Sequence, residues 1–405
     1  MTDTRPAPVV IIGAGLAAWT TVREFRKRDA ATPVLVISRD SGDFYAKPSL
    51  SNVFGQKRGP EQWVTTPADK MAAAQSVELL AHHTVQSLDP QRKRLQVLAP
   101  DGRVLEQNYR QLVLATGAQP IRPPLQGGAT ERVHSINSLD DFRRFHADFT
   151  ARLAGPGATG RVLVIGAGLI GCEFANDLAL AGHQVQVVDP GSRPLASLLP
   201  EAASQGLQQA LEALGVQWHW GTTVASVDPL SASGSTTDPL RVALADGRTI
   251  EADAVISAVG LRPDTRLALA AGLQCERGVV VDTQLRTSAD AIFALGDGAQ
   301  YASAGGRPLP YVMPIMQAAK VLADNLAGGS ATLSFPLMPV AVKTPAWPLL
   351  VAPPPPGVDG QWQPEPDTPS GGAWRYRDAA QVQRGFVLAG SQTARRGEFS
   401  AATVA

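Results

Sequence analysis

The 405-residue sequence has only two cysteines, Cys172 and Cys275. Neither belongs to a CxxC or CxxxxC motif, so a disulfide framework, a cysteine-based metal site and a local redox dithiol are not expected. We therefore expect no bound metal, and we expect the reducing cytoplasm as the location.

The sequence also lacks an excess of either charge and a long apolar run. Lysine and arginine together number 36, as do aspartate and glutamate. This balance argues against nucleic acid as the main partner, because phosphate binding needs surplus cations. No run of about 18 apolar residues occurs and the N-terminus has no signal-peptide pattern, so no membrane association is expected. The length suits two or three domains.

A strand, a glycine-rich turn and a helix begin the sequence. The apolar runs Val9–Ile12 and Val34–Ile37 predict two strands, with a helix through Arg28 between them. The turn has the pattern G-x-G-x-x-A, which predicts a pyrophosphate at the start of the helix. A glycine-rich turn that binds nothing is the alternative. The motif residues are Gly13, Ala14, Gly15, Leu16, Ala17 and Ala18.

The same layout recurs with a full G-x-G-x-x-G motif. Strands are predicted at Val162–Ile165 and Val185–Val188, with a helix from Leu169 to about Ala181. Asp189 ends the second strand, where a carboxylate binds the adenosine ribose and repels a 2′-phosphate, so NADH is favoured over NADPH. Arg193 is a candidate phosphate contact that weakens this preference, and a turn or cap role is the alternative for Asp189. The motif residues are Gly166, Ala167, Gly168, Leu169, Ile170 and Gly171.

The first unit departs from the pattern at the end of its second strand. Ser38 stands where an acidic residue is usual. Asp40 is one candidate for the missing carboxylate. Other contacts from Ser38 and Arg39 to the adenosine are the second candidate.

Two further turns complete a recognisable set. Ala115-Thr116-Gly117 follows a strand of the first region, and Leu295-Gly296-Asp297 follows another. The order of these turns and the two loops over residues 9–300 resembles the FAD-dependent pyridine-nucleotide oxidoreductases. This resemblance implies that Asp297 binds the flavin ribityl chain, with an ordinary Asx turn as the alternative.

The resemblance also implies a fold. We expect an α/β protein with two Rossmann-like, glutathione-reductase-like domains and a small α+β C-terminal domain. The expected FAD-binding domain is discontinuous (1–122 and 254–328), and it is accompanied by an NAD-binding domain (123–253) and a C-terminal domain (329–405). Prolines and alternating apolar residues predict mainly strands after residue 330, and the polar tail after Arg395 is expected to be frayed.

Longer motifs resemble the bacterial rubredoxin–NAD(+) reductases over nearly the whole chain. They are Tyr45–Ser51, Gly168–Asp177, Ser257–Pro263 (with Gly260), Tyr311–Pro314 and Val342–Pro345. The resemblance implies hydride transfer from NADH to FAD and delivery of single electrons to rubredoxin or a related carrier protein, by a monomer or a weak homodimer. A ferredoxin reductase of an oxygenase system and a flavorubredoxin reductase are the alternatives.

Individual site residues follow from this resemblance. Lys47 would reach FAD, Val85 would hold the adenine through its backbone, and Val312 would pack on the isoalloxazine. Glu173 would lie beside the flavin ring with Lys343 as its partner, and these two are the candidate catalytic residues. The competing interpretations are solvated surface cations for the two lysines, ordinary core residues for the two valines, and local capping or pairing on its helix for Glu173. A non-catalytic scaffold would have lost Lys47, Glu173 or Asp297, and all three are present.

The family resemblance also makes one absence informative. Related disulfide reductases carry a CxxxxC early in the FAD domain, whereas Phe44–Phe54 contains no cysteine. Electrons would therefore leave from the flavin edge to a docked protein. A rubredoxin is usually acidic, so Arg375, Arg377 and Arg384 are candidate docking cations or simply solvated charges. Gly298 stands where the family often has cysteine.

Overall fold

A computed structural model describes residues 6–56, 58–153, 155, 157–231, 238–366 and 371–404. These residues form two units, each built around a five-stranded parallel sheet. The α-helices, in chain order, are α1 Leu16–Arg26, α2 Ala68–Gln75, α3 Leu139–Arg152, α4 Leu169–Leu180, α5 Glu201–Glu212, α6 Arg266–Ala270, α7 Val312–Leu326 and α8 Arg396–Ala402. Within the described ranges, every helix is too short or too polar to span a bilayer.

Unit 1 comprises the described residues of Met1–Ala46, Glu61–Gln119 and Leu261–Phe335. Its parallel sheet has the spatial order Ile292–Ala294, Gln111–Leu114, Val9–Ile12, Val34–Ile37 and Glu78–Leu80. Ile12 pairs in register with Ile37 and with Leu114. The turns that follow these strands therefore meet at one edge of the sheet, where open α/β sheets bind ligands.

The core of unit 1 lies between this sheet and its helices. Trp19, Val22 and Phe25 of α1 are buried, and α1 packs against α7. The Trp19 indole N–H donates to the Gly42 carbonyl at 2.9 Å, so this buried polar group is satisfied. A three-stranded antiparallel sheet adds Thr84–Asp89, Arg94–Leu98 and Val104–Asn108. Further short strands of the chain are Phe44–Tyr45, Val64–Thr66, Ala118–Pro120, Leu261–Pro263, Val279–Val281 and Ala299–Tyr301.

Unit 2 comprises the described residues of Lys47–Pro60, Pro120–Gly260 and Pro336–Ala405. Its parallel sheet has the order Val133–His134, Ala254–Ser257, Arg161–Ile165, Gln184–Asp189 and Gln217–Trp220. The strand Ala254–Ser257, which the expected boundary assigned to the first domain, pairs here with Arg161–Ile165. An antiparallel sheet follows with Val224–Pro229, Leu240–Leu244 and Thr249–Ala252.

The C-terminal residues of unit 2 form a separate antiparallel sheet. Its order is Val340–Val342, Leu349–Ala352, Gln383–Gly390, Gly371–Asp378 and Gly360–Pro364. The mainly β character predicted after residue 330 is therefore confirmed.

The expectation of a frayed tail after Arg395 is wrong. Residues Arg396–Ala402 form α8, and Phe399 is fully buried. The guanidinium carbons of Arg375 and Arg395 lie 3.8 and 4.9 Å from the centroid of its ring. One aromatic residue in a polar segment thus supplies the burial and the cation–π contacts that hold the tail to the sheet.

Candidate functional site

The first glycine loop leaves room for a phosphate group where α1 begins. A Cβ on Gly13 would lie 2.3 Å from the Ala115 carbonyl oxygen, and the Gly13 φ of +109° is itself unfavourable for other residues. Gly15 caps α1 without a side-chain hydrogen bond, and the first turn carries no acidic residue. A Cβ on Gly15 would meet no described atom within 4 Å. The helix N–H groups and the open space therefore fit an anionic group such as a pyrophosphate.

The remaining residues of this loop support its close packing. Ala14 and Ala18 are buried, and Leu16 packs against the core of unit 1. Ala18 stands where a third glycine is found in the full motif, and it has no exposed surface. The short side chain there lets α1 lie against the sheet, as the motif predicts.

The second loop repeats this geometry in unit 2. A Cβ on Gly166 would lie 2.8 Å from the Ala258 carbonyl oxygen, and one on Gly171 would lie 1.9 Å from the Gly166 carbonyl oxygen. Gly168 caps α4 without a side-chain bond, the first turn carries no acidic residue, and a Cβ on Gly168 would meet no described atom within 4 Å. Leu169 and Ile170 begin α4, and Ile170 is 36% exposed. This loop also fits a pyrophosphate.

Asp189 lies at the end of its strand and contacts the second loop directly. Its two carboxylate oxygens accept hydrogen bonds from the backbone N–H groups of Ala167 and Gly191, each at 2.7 Å. Arg193, the alternative phosphate contact, donates to the Leu199 carbonyl at 2.9 Å and to the Ser204 hydroxyl at 2.6 Å. Arg193 is thus engaged within its own loop, and the two backbone bonds of Asp189 fit the turn role given above as its alternative. The contact of Asp189 with a ribose stays a prediction.

The adenosine end of the first unit shows a different arrangement. The buried Ser38 hydroxyl donates to the Asp40 carboxylate, which also accepts from the Gly42 N–H at 3.0 Å. Arg39 is more than half exposed and lies 4.0 Å from the Asp264 carboxylate. The Ser38–Asp40 pair therefore places a carboxylate near the position where the family pattern has one.

The two small-residue turns of unit 1 lie at the same sheet edge as the first loop. The Thr116 hydroxyl donates to the Asp264 carbonyl, and the Asp264 N–H donates to the Gly117 carbonyl, each at 2.9 Å. Gly296 is held by the buried Tyr301 hydroxyl, which accepts from its N–H at 2.7 Å. Asp297 follows in that turn, beyond a strand that pairs with Gln111–Leu114.

The sequence departure at Gly298 has a structural reason. A Cβ at this position would lie 2.9 Å from the Gly117 carbonyl oxygen and 3.2 Å from the Thr116 hydroxyl oxygen. The two turns approach so closely that a larger residue would push them apart.

Other predicted cofactor residues occupy varied positions. Lys47 begins the 3₁₀ helix Lys47–Asn52, and Val85 lies partly buried in an antiparallel strand. Val312 begins α7 and is 40% exposed, which leaves its side chain available for a contact. Gly260 follows the strand Ala254–Ser257 with a φ of +112°. Their contacts with a cofactor stay predictions.

Glu173 is buried and accepts several hydrogen bonds. It lies on α4 with only 5% of its surface exposed. One carboxylate oxygen accepts from the Lys343 backbone N–H at 3.0 Å. The other accepts from the Ser51 hydroxyl at 2.6 Å and forms an ion pair with the Lys343 ammonium. The structure thus pairs Glu173 with Lys343, and it adds Ser51.

Sequence reasoning did not assign Ser51, Asn176 or Asp177 a role. Asp177 lies one turn after Glu173, and its carboxylate accepts from the N–H groups of Phe54 and Gly55 at 2.8 and 2.9 Å. Burial raises the pKa of Asp177 to about 6, against the opposing effect of these backbone hydrogen bonds. Asn176 accepts from the Ala346 N–H at 3.1 Å. The available signal was the presence of Glu173, Asn176 and Asp177 on the otherwise apolar helix α4, because buried polar groups need partners. Ser51 had no such signal.

The candidate docking cations are largely neutralised within the C-terminal sheet. Arg375 is buried and bonds to Glu365 and Glu398 at 2.6 and 2.8 Å. Arg384 pairs with Asp378 at 2.7 Å. The Arg377 guanidinium donates to a backbone carbonyl at 2.8 Å. These contacts indicate that the three arginines are structural charges rather than a free basic docking surface.

Cys172 has a packing role in the second loop. It is fully buried, and its thiol contacts the Ala167 carbonyl with a sulfur–oxygen distance of 3.3 Å. Burial raises the pKa of this thiol. An inert, protonated side chain is expected.

The chain matches two protein-family models. Residues 7–321 match "Pyridine nucleotide-disulphide oxidoreductase", and residues 332–403 match "Rubredoxin binding C-terminal domain".

Individual proteins are similar over almost the full length. The rubredoxin–NAD(+) reductase of Acinetobacter baylyi is 41% identical over 95% of this chain and 94% of its own. The nitric oxide reductase FlRd–NAD(+) reductase of Aeromonas hydrophila is 41% identical over 95% of this chain and 93% of its own. The crystal structure of a ferredoxin reductase from Rhodopseudomonas palustris superposes with a TM-score of 0.83 at 25% identity, covering 97% and 93% of the two chains.

These similarities confirm the expected fold class, an α/β architecture with a small C-terminal domain. They also imply FAD and NADH as the cofactors, as the two loops predicted. The first family model alone spans well over half of the sequence. The chain therefore belongs to the pyridine nucleotide-disulphide oxidoreductase family.

Proposed function

We propose that this protein is an FAD-dependent NADH:rubredoxin oxidoreductase. The observation that carries the proposal is the combination of two open dinucleotide loops with a C-terminal segment matching a rubredoxin-binding domain. The similarity to the Acinetobacter baylyi reductase extends over both parts. The absence of cysteine from Phe44–Phe54 favours a protein acceptor over an internal thiol.

In this proposal the two loops bind different cofactors. The loop Gly13–Ala18 and the turns containing Thr116 and Asp297 bind FAD, because they share one edge of the unit 1 sheet. The loop Gly166–Gly171 binds NADH, with Asp189 as the ribose contact. The proposal keeps the three expected domains. It moves the strand Ala254–Ser257 into the NAD-binding domain, because that strand pairs with Arg161–Ile165 there.

Bound FAD would supply chemistry that a nicotinamide lacks, because a flavin can take up a hydride and release its electrons one at a time. The protein contributes position and electrostatics rather than an acid or base. The loops fix the pyrophosphates at the starts of α1 and α4. The Glu173–Lys343 pair supplies opposite charges held in a fixed geometry, and in this proposal it acts on the bound flavin.

A second candidate acceptor is a flavoprotein with a rubredoxin-like module. The similarity to the Aeromonas hydrophila FlRd–NAD(+) reductase favours it as strongly as the first candidate by identity. A ferredoxin of an oxygenase system is the third. In each case the proposed hydride transfer from NADH is the same, and only the carrier protein that receives the electrons differs.

The deciding experiment is NADH-driven cytochrome c reduction with purified rubredoxin, ferredoxin or flavorubredoxin. Strong stimulation by rubredoxin alone supports the proposal, and stimulation by another carrier alone replaces it. Ferricyanide serves as the control acceptor because it needs no protein docking. A colourless preparation that takes up no FAD would refute the enzyme altogether.

The same proposal includes a cytoplasmic location, no nucleic-acid partner, no membrane partner and a monomer or weak homodimer. The balanced charge supports the absence of a nucleic-acid partner, since a nucleic-acid-binding surface needs surplus cations. Sedimentation of the FAD-loaded protein at several concentrations tests the oligomeric state.

A further inference from the structure

Ser51 lies between the two members of the candidate catalytic pair. Its side chain is buried, with 6% of the residue exposed. The hydroxyl oxygen lies 2.6 Å from a Glu173 carboxylate oxygen and 2.9 Å from the Lys343 ammonium nitrogen. A buried hydroxyl with two charged partners forms stronger hydrogen bonds than one with neutral partners.

The donor count fixes the direction of these hydrogen bonds. An ammonium group has three donors and no acceptor, and the three acceptors around Lys343 are the Pro48 carbonyl, the Ser51 hydroxyl and the Glu173 carboxylate. Ser51 must therefore accept from Lys343. Its single proton is then directed to Glu173.

One competing acceptor exists for that proton. The Pro48 carbonyl oxygen lies 3.2 Å from the Ser51 hydroxyl, against 2.6 Å for the Glu173 carboxylate. The shorter distance and the negative charge both favour the carboxylate. The hydrogen bonds therefore run from Lys343 to Ser51 and from Ser51 to Glu173, in addition to the direct ion pair.

We infer that Ser51 is a positioning residue for electron transfer, which holds the charges of Glu173 and Lys343 in the arrangement that the reaction uses. This inference rests on the proposed function. Since Ser51 acts through the pair, its loss changes the electrostatics of the site and leaves the pyrophosphate loops intact. The flavin potential and the rate of flavin reduction therefore depend on the Ser51 hydroxyl, whereas the KM for NADH does not.

The test compares Ser51→Ala, Ser51→Thr and the control Ser49→Ala in the FAD-loaded full-length protein. Ser49 lies in the same 3₁₀ helix, and its side chain makes no hydrogen bond to any described residue. Anaerobic stopped-flow measures flavin reduction by NADH, and a redox titration measures the midpoint potential. Should Ser51→Ala fail to fold, Ser51→Val replaces it with the same expected result, because valine has the branched shape of the threonine variant without its hydroxyl.

For Ser51→Ala we expect reduction to slow about tenfold, which is about 1.4 kcal/mol in the barrier. We expect the potential to become more negative, because Glu173 has lost a donor that offsets its charge. Ser51→Thr should restore both, and Ser49→Ala should match the unaltered protein.

An unchanged rate and potential in Ser51→Ala would overturn the inference. So would a Ser51→Thr variant as impaired as Ser51→Ala, or a change confined to the KM for NADH. Failure of the unaltered protein to bind FAD or to be reduced by NADH would instead refute the proposed function, so the two failures are distinguishable.

Discussion

Two glycines of the second loop have different roles: Gly171 allows close packing, and Gly168 borders the space proposed for the pyrophosphate. Alanine should therefore lower stability at the first and weaken NADH binding at the second. In Gly171→Ala the new Cβ would lie 1.9 Å from the Gly166 carbonyl oxygen, whereas real Cβ atoms stay beyond 3.0 Å. The loop and α4 must therefore separate by the difference, about 1.1 Å. Overpacking of this kind costs about 1–3 kcal/mol of stability.

Gly168→Ala should lower stability less than Gly171→Ala, because its Cβ meets no described atom within 4 Å. The backbone angles of Gly168, φ −76° and ψ −171°, are also accessible to alanine. Losing glycine at the cap costs at most ~1 kcal/mol. The methyl group would enter the space proposed for the pyrophosphate, so we expect the KM for NADH to rise at least about tenfold, or ~1.4 kcal/mol.

Denaturant unfolding and NADH titration with ferricyanide as acceptor measure the two effects. Gly397→Ala in α8 is the matched control, since its Cβ also meets no described atom. FAD content should stay unchanged in all three variants, because the first loop belongs to unit 1. A normal KM in Gly168→Ala would refute the pyrophosphate assignment. Normal stability in Gly171→Ala would refute the packing argument.

Further substitutions test other parts of the site. Asp189→Ala removes the acceptor of two loop N–H groups, so steady-state kcat/KM for NADH should fall about tenfold, ~1.4 kcal/mol, and the value for NADPH should fall less. Lys343→Ala leaves the buried Glu173 without its cation, and denaturant titration should show a loss of about 3 kcal/mol; an unchanged flavin potential and reduction rate would contradict its proposed role. The pKa of Asp177 is raised from 3.8 to about 6, so its contribution to stability is full below pH 3.8, falls as the pH rises through 6 and is absent above that. This loss is at most about 3 kcal/mol, and Asp177→Asn should lack it when unfolding is compared at low and neutral pH. Phe399→Ala should lower the free energy of unfolding by about 3–5 kcal/mol, because the ring is fully buried; a smaller loss in thermal unfolding would contradict a structural role for α8.

The loops were predictable because their determinants are local. Gly13 and Gly166 serve turns of a few residues, and the strands Val9–Ile12 and Val34–Ile37 have the bounds that their β-branched residues predict. The helix after the first loop ends at Arg26 rather than Arg28. Boundaries of this kind depend on how the last turn is satisfied, which a periodic pattern does not fix.

The remaining features depend on contacts distant in sequence. Ser51 is 122 residues from Glu173 and 292 from Lys343, so no motif spacing connects the three. The family resemblance supplied the last two as a pair and left Ser51 as one letter of a motif. The burial of Phe399 was not predictable for a similar reason, because its partner Arg375 lies on the strand Gly371–Asp378 rather than near α8 in sequence.

The cluster around Lys343 also bears on how the chain is made. Glu173 is synthesised 170 residues before Lys343, which supplies two of its donors. Until the ribosome has released that late segment, the carboxylate on α4 has no cation and must stay hydrated. The nucleotide-binding part of unit 2 therefore cannot complete its interior during synthesis in the usual N-terminal-first order. A nascent chain stalled before residue 343 should remain sensitive to protease around α4, and release of the full chain should abolish that sensitivity.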